Sequence, residues 1–306
     1  MELRQLRYFV AVAETENFHR ASERLNLVPS ALSRQIQDLE AELGVALFDR
    51  ERRRVRLSAA GKSFLDSARQ LLGAADLAKE RVGLVARGHV GTLRIGLQEI
   101  TGRHRDVPKS FHLFRTRYPD VALQLSPLTS VEQAEAIAAG ELDAGFFYVK
   151  TANPAFETLD IDVDDWVLAL PKRHRLAKKP GLRLRDLGDE PFVWIPRAYS
   201  PVLYDRLMAT CEKAGFAPRI VQEAKHESLL LNLVAVGMGL TFVTATARGY
   251  GPGDVVFRTL PDFSMPMTLN LVWRRSNESA VLARFVETFA GLKKPAMQKV
   301  KKARNR

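Results

Sequence analysis

At 306 residues the chain is long for one domain and suits a small domain joined to a larger one. A hydrophobic content of 46% supports real cores and excludes a disordered protein, while a single cysteine, Cys211, excludes an internal disulfide framework and suits a reducing compartment. The net charge of +11 divides unevenly: residues 1–90 carry +3, residues 91–292 carry +1 and residues 293–306 carry +7, so a nearly neutral body lies between basic ends.

The N-terminal "MELRQLRYFVAVAETE" contains no apolar stretch of signal-peptide length. The longest apolar run, "LVAVGMGLTFV" (233–243), is too short to cross a bilayer, so the expected location is the cytoplasm, away from membranes. Residues 3–14 read as a helix with Leu3, Leu6, Phe9, Val10 and Ala13 on one face. In "NFHRASERLNLVPSALSRQIQDLE" (17–40), Asn17 is a good N-cap for a short helix carrying Phe18, Ala21 and Leu25. Pro29 fits the first turn of the next helix, where its missing N–H removes no bond, and Gly44 closes that helix. Its inward face is Leu32, Ile36 and Leu39, which leaves Ser30, Ser33, Arg34 and Gln35 toward solvent. In a helix-turn-helix these positions meet base edges in the major groove, where Arg can bond guanine twice and Gln can bond adenine twice.

"ALFDRERRRVRLSAAG" then alternates as a β-hairpin with Arg52, Arg53 and Arg54 at its tip. Those arginines suit phosphates or a narrow minor groove, and a merely solvated charge cluster stays open beside that reading. Residues 1–57 thus predict an all-α winged helix-turn-helix whose partner is double-stranded DNA. From residue 58 to 87, Phe64, Ala68, Leu71, Ala75, Ala78 and Val82 recur in steps of four and three, the seam of a long linker helix. Since no neighbouring stretch offers a partner face, this seam is expected to be the dimerisation surface, with a helix lying on its own domain as the alternative. "RGHVGT" (87–92) breaks the helix.

Beyond it strands and helices alternate. Strands are expected at 92–97, 121–128, 142–149, 165–171, 191–196, 219–224, 240–245 and 269–274, and helices at 107–119, 130–141, 200–215, 226–237 and 279–292. Two sheets of about five strands, with chain crossings near 160 and 265, make a two-lobed α/β domain over 91–292, like a periplasmic binding protein. The overall class is α/β, and the basic residues 293–306 read as a solvated, disordered tail.

No catalytic constellation is present. There is no G-x-S-x-G elbow or Walker loop, and the six histidines have no metal-ligand spacing with one another or with Cys211. "GMG" (237–239) follows a helix and precedes a strand, the wrong order for a dinucleotide loop. No enzyme activity, metal or cofactor is expected. A ligand cleft is, because strand-to-helix junctions gather anions at free N–H groups. Two junctions qualify, "QEIT" (98–101) and "TSVEQ" (129–133), which nominate Gln98, Thr101, Thr129 and Ser130. Thr129 with Glu132, or Ser130 with Gln133, also forms a capping box, and capping and ligand contact both remain open. The opposite lobe offers Arg197, Tyr199, His226 and Thr244. Glu99 would oppose an anionic ligand unless Arg103 or Arg105 neutralises it.

Several stretches, "LRQLRYFVAVAETENFHRASERLN", "SALSRQIQDLEAELGVALFDR", "VRLSAAGKSFL", "GTLRIG", "FRTRYPDVAL", "AIAAGELDAGF", "ALPKRHRLA" and "NLVAVGMGL", stand in the order and spacing of a known family. From Met1 to about Leu292 the chain resembles a LysR-type transcriptional regulator, and "LSPLTSVEQAEAIAAGELDAGF" resembles the regulators of aromatic-acid catabolism. The resemblance implies a homodimer or homotetramer with paired linker helices. It also implies a small effector, an organic or aromatic acid, between the lobes, with RNA polymerase a further candidate partner. Two residues depart from the family pattern: Pro29 stands where a polar residue, often Gln, begins the recognition helix, and Thr244 stands where a proline usually ends the "GMGLTFV" run. The alternative is a periplasmic-type solute-binding protein without DNA function. It shares the two-lobed fold, but the missing signal peptide and the first 90 residues oppose it.

Overall fold

The computed structural model describes residues 1–49, 55–148 and 153–303, with 293–303 as backbone alone. The chain forms two compact units, Met1–Val85 and the remainder from Ala86. The first begins with α1 (Leu3–Thr15), α2 (Phe18–Arg24) and α3 (Pro29–Leu43). Asn17 caps α2 as expected, its side chain accepting from the N–H groups of His19 (2.8 Å) and Arg20 (3.2 Å). Pro29 takes the first position of α3, and Gly44 ends it at φ +69°, a left-handed conformation that glycine adopts without strain. A minimal hairpin follows, β1 (Phe48–Asp49) paired antiparallel with β2 (Arg56–Leu57). The Glu40 carboxylate ties the start of this wing to α3, accepting from the N–H groups of Leu47 (2.8 Å) and Phe48 (3.1 Å).

Leu6, Phe9, Leu32, Ile36 and Leu39 are buried together, each contributing about 1.5–3 kcal/mol on transfer from water. Phe9 sits at the centre, its ring 5.4 Å from Phe48 and 5.1 Å from Phe64. Phe64 belongs to α4 (Ala59–Ala86), the predicted linker helix. This corrects the seam assignment. Phe64 and Ala68 pack into the head's own core, with Leu65 and Leu72 beside them, because the first turns of α4 lie against α1. From Leu71 on, much of the helix is bare: Leu71 is 44% exposed, Leu77 67%, Val82 69% and Val85 51%. Ala75 is half-buried and Ala78 exposed.

The second unit has two lobes. Lobe 1 contains β3 (Gly91–Leu97), α5 (Glu99–Gly102), α6 (Asp106–Arg117), β4 (Val121–Pro127), α7 (Ser130–Ala139), β5 (Ala144–Phe147) and β6 (Phe156–Asp164). Lobe 2 runs through β7 (Trp166–Pro171), β8 (Pro191–Trp194), α8 (Pro201–Lys213), β9 (Arg219–Glu223), α9 (Glu227–Ala235), β10 (Thr241–Thr244) and β11 (Val255–Arg258). The chain then returns to lobe 1 as β12 (Met267–Arg274) and ends in α10 (Ala280–Ala303). That helix carries the backbone past residue 292, where a disordered tail was expected, even though Pro295 lies within it and brings no N–H to the ladder.

The lobe 1 sheet has the order β4-β3-β5-β12-β6, with β4, β3 and β5 parallel and β12 antiparallel to both its neighbours. In lobe 2, β7 lies between β10 and β11, and β8 pairs parallel with β9. A bridge between Phe192 and Leu240 joins the two lobe 2 ladders, so each lobe holds five strands. The crossings fall at 164–166 and 258–267, near the predicted places. Asp165 pins them together: its carboxylate accepts from the N–H groups of Trp166 (2.7 Å) and Met265 (2.9 Å) and from the Ser264 hydroxyl (3.0 Å). No helix among the described residues is long and apolar enough to cross a membrane.

Candidate nucleic-acid interface and ligand cavity

Helix α3 separates its faces cleanly. Leu32, Ile36 and Leu39 are fully buried, while Ser30 and Arg34 are exposed and Ser33 and Gln35 half-buried. The four predicted DNA contacts therefore lie together over the first turns of one helix, around its outward side. Arg34 has no ion-pair partner among the described residues, so its guanidinium is free to meet an anion or a base edge. Arg52, Arg53 and Arg54 lie outside the described residues.

A cavity lies between the lobes, its empty space about 570 Å³ with open solvent at the mouth included. Lobe 1 gives it Gln98, Glu99 and Ile100, at the turn from β3 into α5. Lobe 2 gives an apolar wall that includes Trp166, Trp194, Leu203, Leu230 and Phe242, with Tyr199 and Ser200 ahead of α8 and Lys225 and Glu227 around the start of α9.

Of the eight predicted ligand residues, Gln98 and Tyr199 line this cavity. His226 stands beside it, its ring 6.1 Å from that of Tyr199 and its Nδ1 3.3 Å from the Glu99 carboxylate. The Ser130 hydroxyl donates to Gln98 Oε1 at 3.3 Å and so supports the wall from behind. The other four are not brought to the cavity. The Thr101 hydroxyl is buried in the cap of α5, accepting from the Gln98 N–H and donating to the Gln98 carbonyl, both at 3.0 Å. Thr129 caps α7: its hydroxyl donates to Glu132 Oε2 (2.8 Å), and the same oxygen accepts from the Thr129 N–H (2.7 Å). These bonds hold the Glu132 carboxyl below its usual range. A protein carboxylate therefore already occupies the helix start where a ligand carboxylate was expected. Arg197 is held outward by Asp205 through bonds of 2.7 and 2.9 Å. Thr244 is fully buried at the end of β10.

Glu99 is neutralised as anticipated, by Arg103 at 2.7 Å, whereas Arg105 turns to Asp106. The residue that sequence reasoning missed is Glu227. It is only 7% exposed and lines the cavity, and its carboxyl has the Tyr250 hydroxyl beside it as a donor. Burial pushes its carboxyl up to about 8; the Tyr250 hydroxyl and Arg103 pull the other way, while Glu99 and Asp164 add to the rise. The indole N–H groups of Trp166 and Trp194, in the same wall, are buried without partners. No single signal marked this set, because a Glu in the first turn of a helix reads as an ordinary dipole partner.

His104, Asp106 and Asp162 place possible ligand atoms within 4.8 Å of one another. The cluster closes on itself, since His104 Nδ1 accepts the Asp106 N–H (3.4 Å) and Nε2 lies 3.3 Å from Asp162.

Residues 3–62 match the family described as bacterial regulatory helix-turn-helix protein, lysR family, and residues 86–292 match the LysR substrate binding domain. The chain belongs to the LysR family. This LysR-type regulator is 35% identical over 286 residues to the HTH-type transcriptional regulator AlsR of Bacillus subtilis (strain 168), covering 94% of each chain. The crystal structure of CbnR, a LysR family transcriptional regulator, aligns with a TM-score of 0.82 at 31% identity, over 94% of this chain and 100% of that one. Full-length CbnR complexed with target DNA aligns at 0.80 and 30% identity, over 95% and 99% of the two chains. The LysR chain is thus a DNA-binding transcriptional regulator with an effector-binding domain. The solute-binding alternative falls, because the family match includes the helix-turn-helix head.

Proposed function

We propose that this regulator reads an operator through Ser30, Ser33, Arg34 and Gln35 and responds to a small organic acid held in the cavity between its lobes. The observation that carries the DNA half is the face separation of α3, buried at Leu32, Ile36 and Leu39 and exposed at Ser30 and Arg34. A neighbour at 30% identity solved with its target DNA supports it. The exposed stripe of Leu71, Ala78, Val82 and Val85 supports a homo-oligomer paired through the outer half of α4. The cytoplasm is the compartment this activity needs, and RNA polymerase is the partner an activator would meet there. A thiol-based redox response is disfavoured: Cys211 is fully buried and burial pushes its thiol up to about 12.

Arg34→Ala tests the operator reading in a DNA-binding titration against specific and random sequences. Discrimination at one base pair should fall by about 1–3 kcal/mol with the fold intact. Equal loss on both DNAs would mark a phosphate contact instead.

A further inference from the structure

The cavity wall contributed by lobe 2 is mostly apolar, with Tyr199, Ser200, Lys225 and Thr241 among its polar members. Trp166 and Trp194 each bury an indole N–H without a partner, and Glu227 buries a carboxyl group beside the Tyr250 hydroxyl, in a wall that also includes Leu203, Leu230 and Phe242. An unpaired buried donor is costly, so the two indole N–H groups favour an occupant that accepts from them. The partners the wall lacks can be read from its chemistry. An indole N–H only donates, so two positions call for an acceptor. Glu99, the other carboxylate at the cavity, is already matched by Arg103 and His226. Lys225 stands exposed at the rim, and the Gln98 amide adds a further donor.

We propose that the occupant is a compact, largely apolar monocarboxylate, and that Glu227 binds it as a neutral acid, donating its proton in a hydrogen bond to the ligand's carboxylate. This rests on the reading of the cavity as the effector site and makes its affinity depend on pH. The groups that face Glu227 are Glu99 and Arg103 from α5, Asp164 from β6, and the hydroxyls of Tyr250 and Tyr148. Lys225 and His226 precede it in its own segment, and His226 is engaged with Glu99. Two carboxylates and burial therefore oppose ionisation against one arginine and one tyrosine. With a carboxyl that titrates at about 8, Glu227 is mostly protonated at neutral pH, and the donor is lost as pH rises through that value. A bound carboxylate nearby raises it further, so ligand binding and proton retention are linked. A cationic ligand would need Glu227 ionised and would show the opposite dependence.

The test is a titration of the full-length protein with benzoate and with benzylamine, followed by tryptophan fluorescence and calorimetry between pH of about 6 and about 9. Benzoate affinity should be level up to the Glu227 transition and then weaken by about tenfold per pH unit. Benzylamine should not bind in the lower half of the range. Glu227→Gln retains an N–H donor without a titrating proton, so it should bind benzoate with a flat pH profile. Glu227→Leu should weaken benzoate by roughly ten- to a hundredfold at neutral pH. Saturable benzoate binding that ignores pH in the parent would overturn the proposal and leave the effector cavity standing. So would a decline above the transition that persists in Glu227→Gln, since another group would then be titrating. Benzylamine binding that strengthens with pH would make Glu227 a counter-ion and overturn it as well. Absence of benzoate binding at millimolar concentration throughout would overturn both the proposal and the assignment of this cavity to a small acid.

Discussion

On the lobe 1 side of the cleft, Thr101 bonds Gln98, Thr129 bonds Glu132, and Ser130 reaches the Gln98 amide. On the lobe 2 side, the indole N–H groups of Trp166 and Trp194 have no hydrogen-bond partner, and the buried Glu227 carboxyl has the Tyr250 hydroxyl beside it. The first wall is finished by its own hydrogen bonds, and its short polar residues serve the backbone they cap. The second wall leaves two indole donors unmatched. Polar residues at a cleft thus differ in kind, and those with no internal partner are the better guide to binding.

That contrast makes separable predictions. The largest effect is expected from Trp194→Phe, which keeps an aromatic ring in the wall and removes its N–H. Benzoate affinity should fall by about 1.5–3 kcal/mol in calorimetry, the value of a bond to a charged acceptor, and parent-like affinity would show that the indole is not a ligand group. Gln133→Leu acts on the other side. Gln133 is fully buried behind the cleft, donating to the Leu128 carbonyl (2.8 Å) and accepting from the Phe146 N–H (3.1 Å), and Gly145 leaves it room because a Cβ there would run into Gln133 Oε1. Its loss should lower stability by about 1–3 kcal/mol in thermal unfolding, with ligand affinity in the still-folded protein close to that of the parent.

Thr129→Val should cost about 1 kcal/mol of stability through the lost cap and leave benzoate binding unchanged. An impaired ligand response without a change in melting temperature would reverse the assignment of the two walls. The smallest effect concerns Glu132, whose carboxyl is held below its usual value of 4.5 by bonds from Thr129. A depressed folded-state pKa contributes stability above the unfolded value and loses it as pH falls through the folded one. The parent and Glu132→Gln should therefore differ slightly at neutral pH in thermal melts and converge as pH falls through the depressed folded-state value, below 4.5.

The head was legible in the sequence because its boundaries are local chemistry. Asn17, Pro29 and Gly44 each act within a turn of their own position, and each does what its side chain or backbone favours. The linker was half legible. A heptad seam says which residues share a face but not what that face meets, and the head's own Phe9 claims Phe64. Two strands escaped notice. β6, "FETLDIDVD", carries Glu and Asp along an edge of its sheet, and β11, "VVFR", is only four residues long. Glu227 escaped for a different reason. Its burial comes from the packing of α9 against distant strands and from α5 of the other lobe, which no neighbouring residue announces.

The position of β12 has a consequence for synthesis. Lobe 2 is continuous in the chain, from β7 to β11, and can complete its sheets as soon as Arg258 has emerged. Lobe 1 cannot, since its strand between β5 and β6 is made of residues 267–274. While lobe 2 is being translated, β5 and β6 wait with unpaired edges, each an invitation to association with another chain. The lobe that is begun first is finished last, so a nascent chain stalled before residue 267 should carry a folded lobe 2 beside an open, aggregation-prone lobe 1.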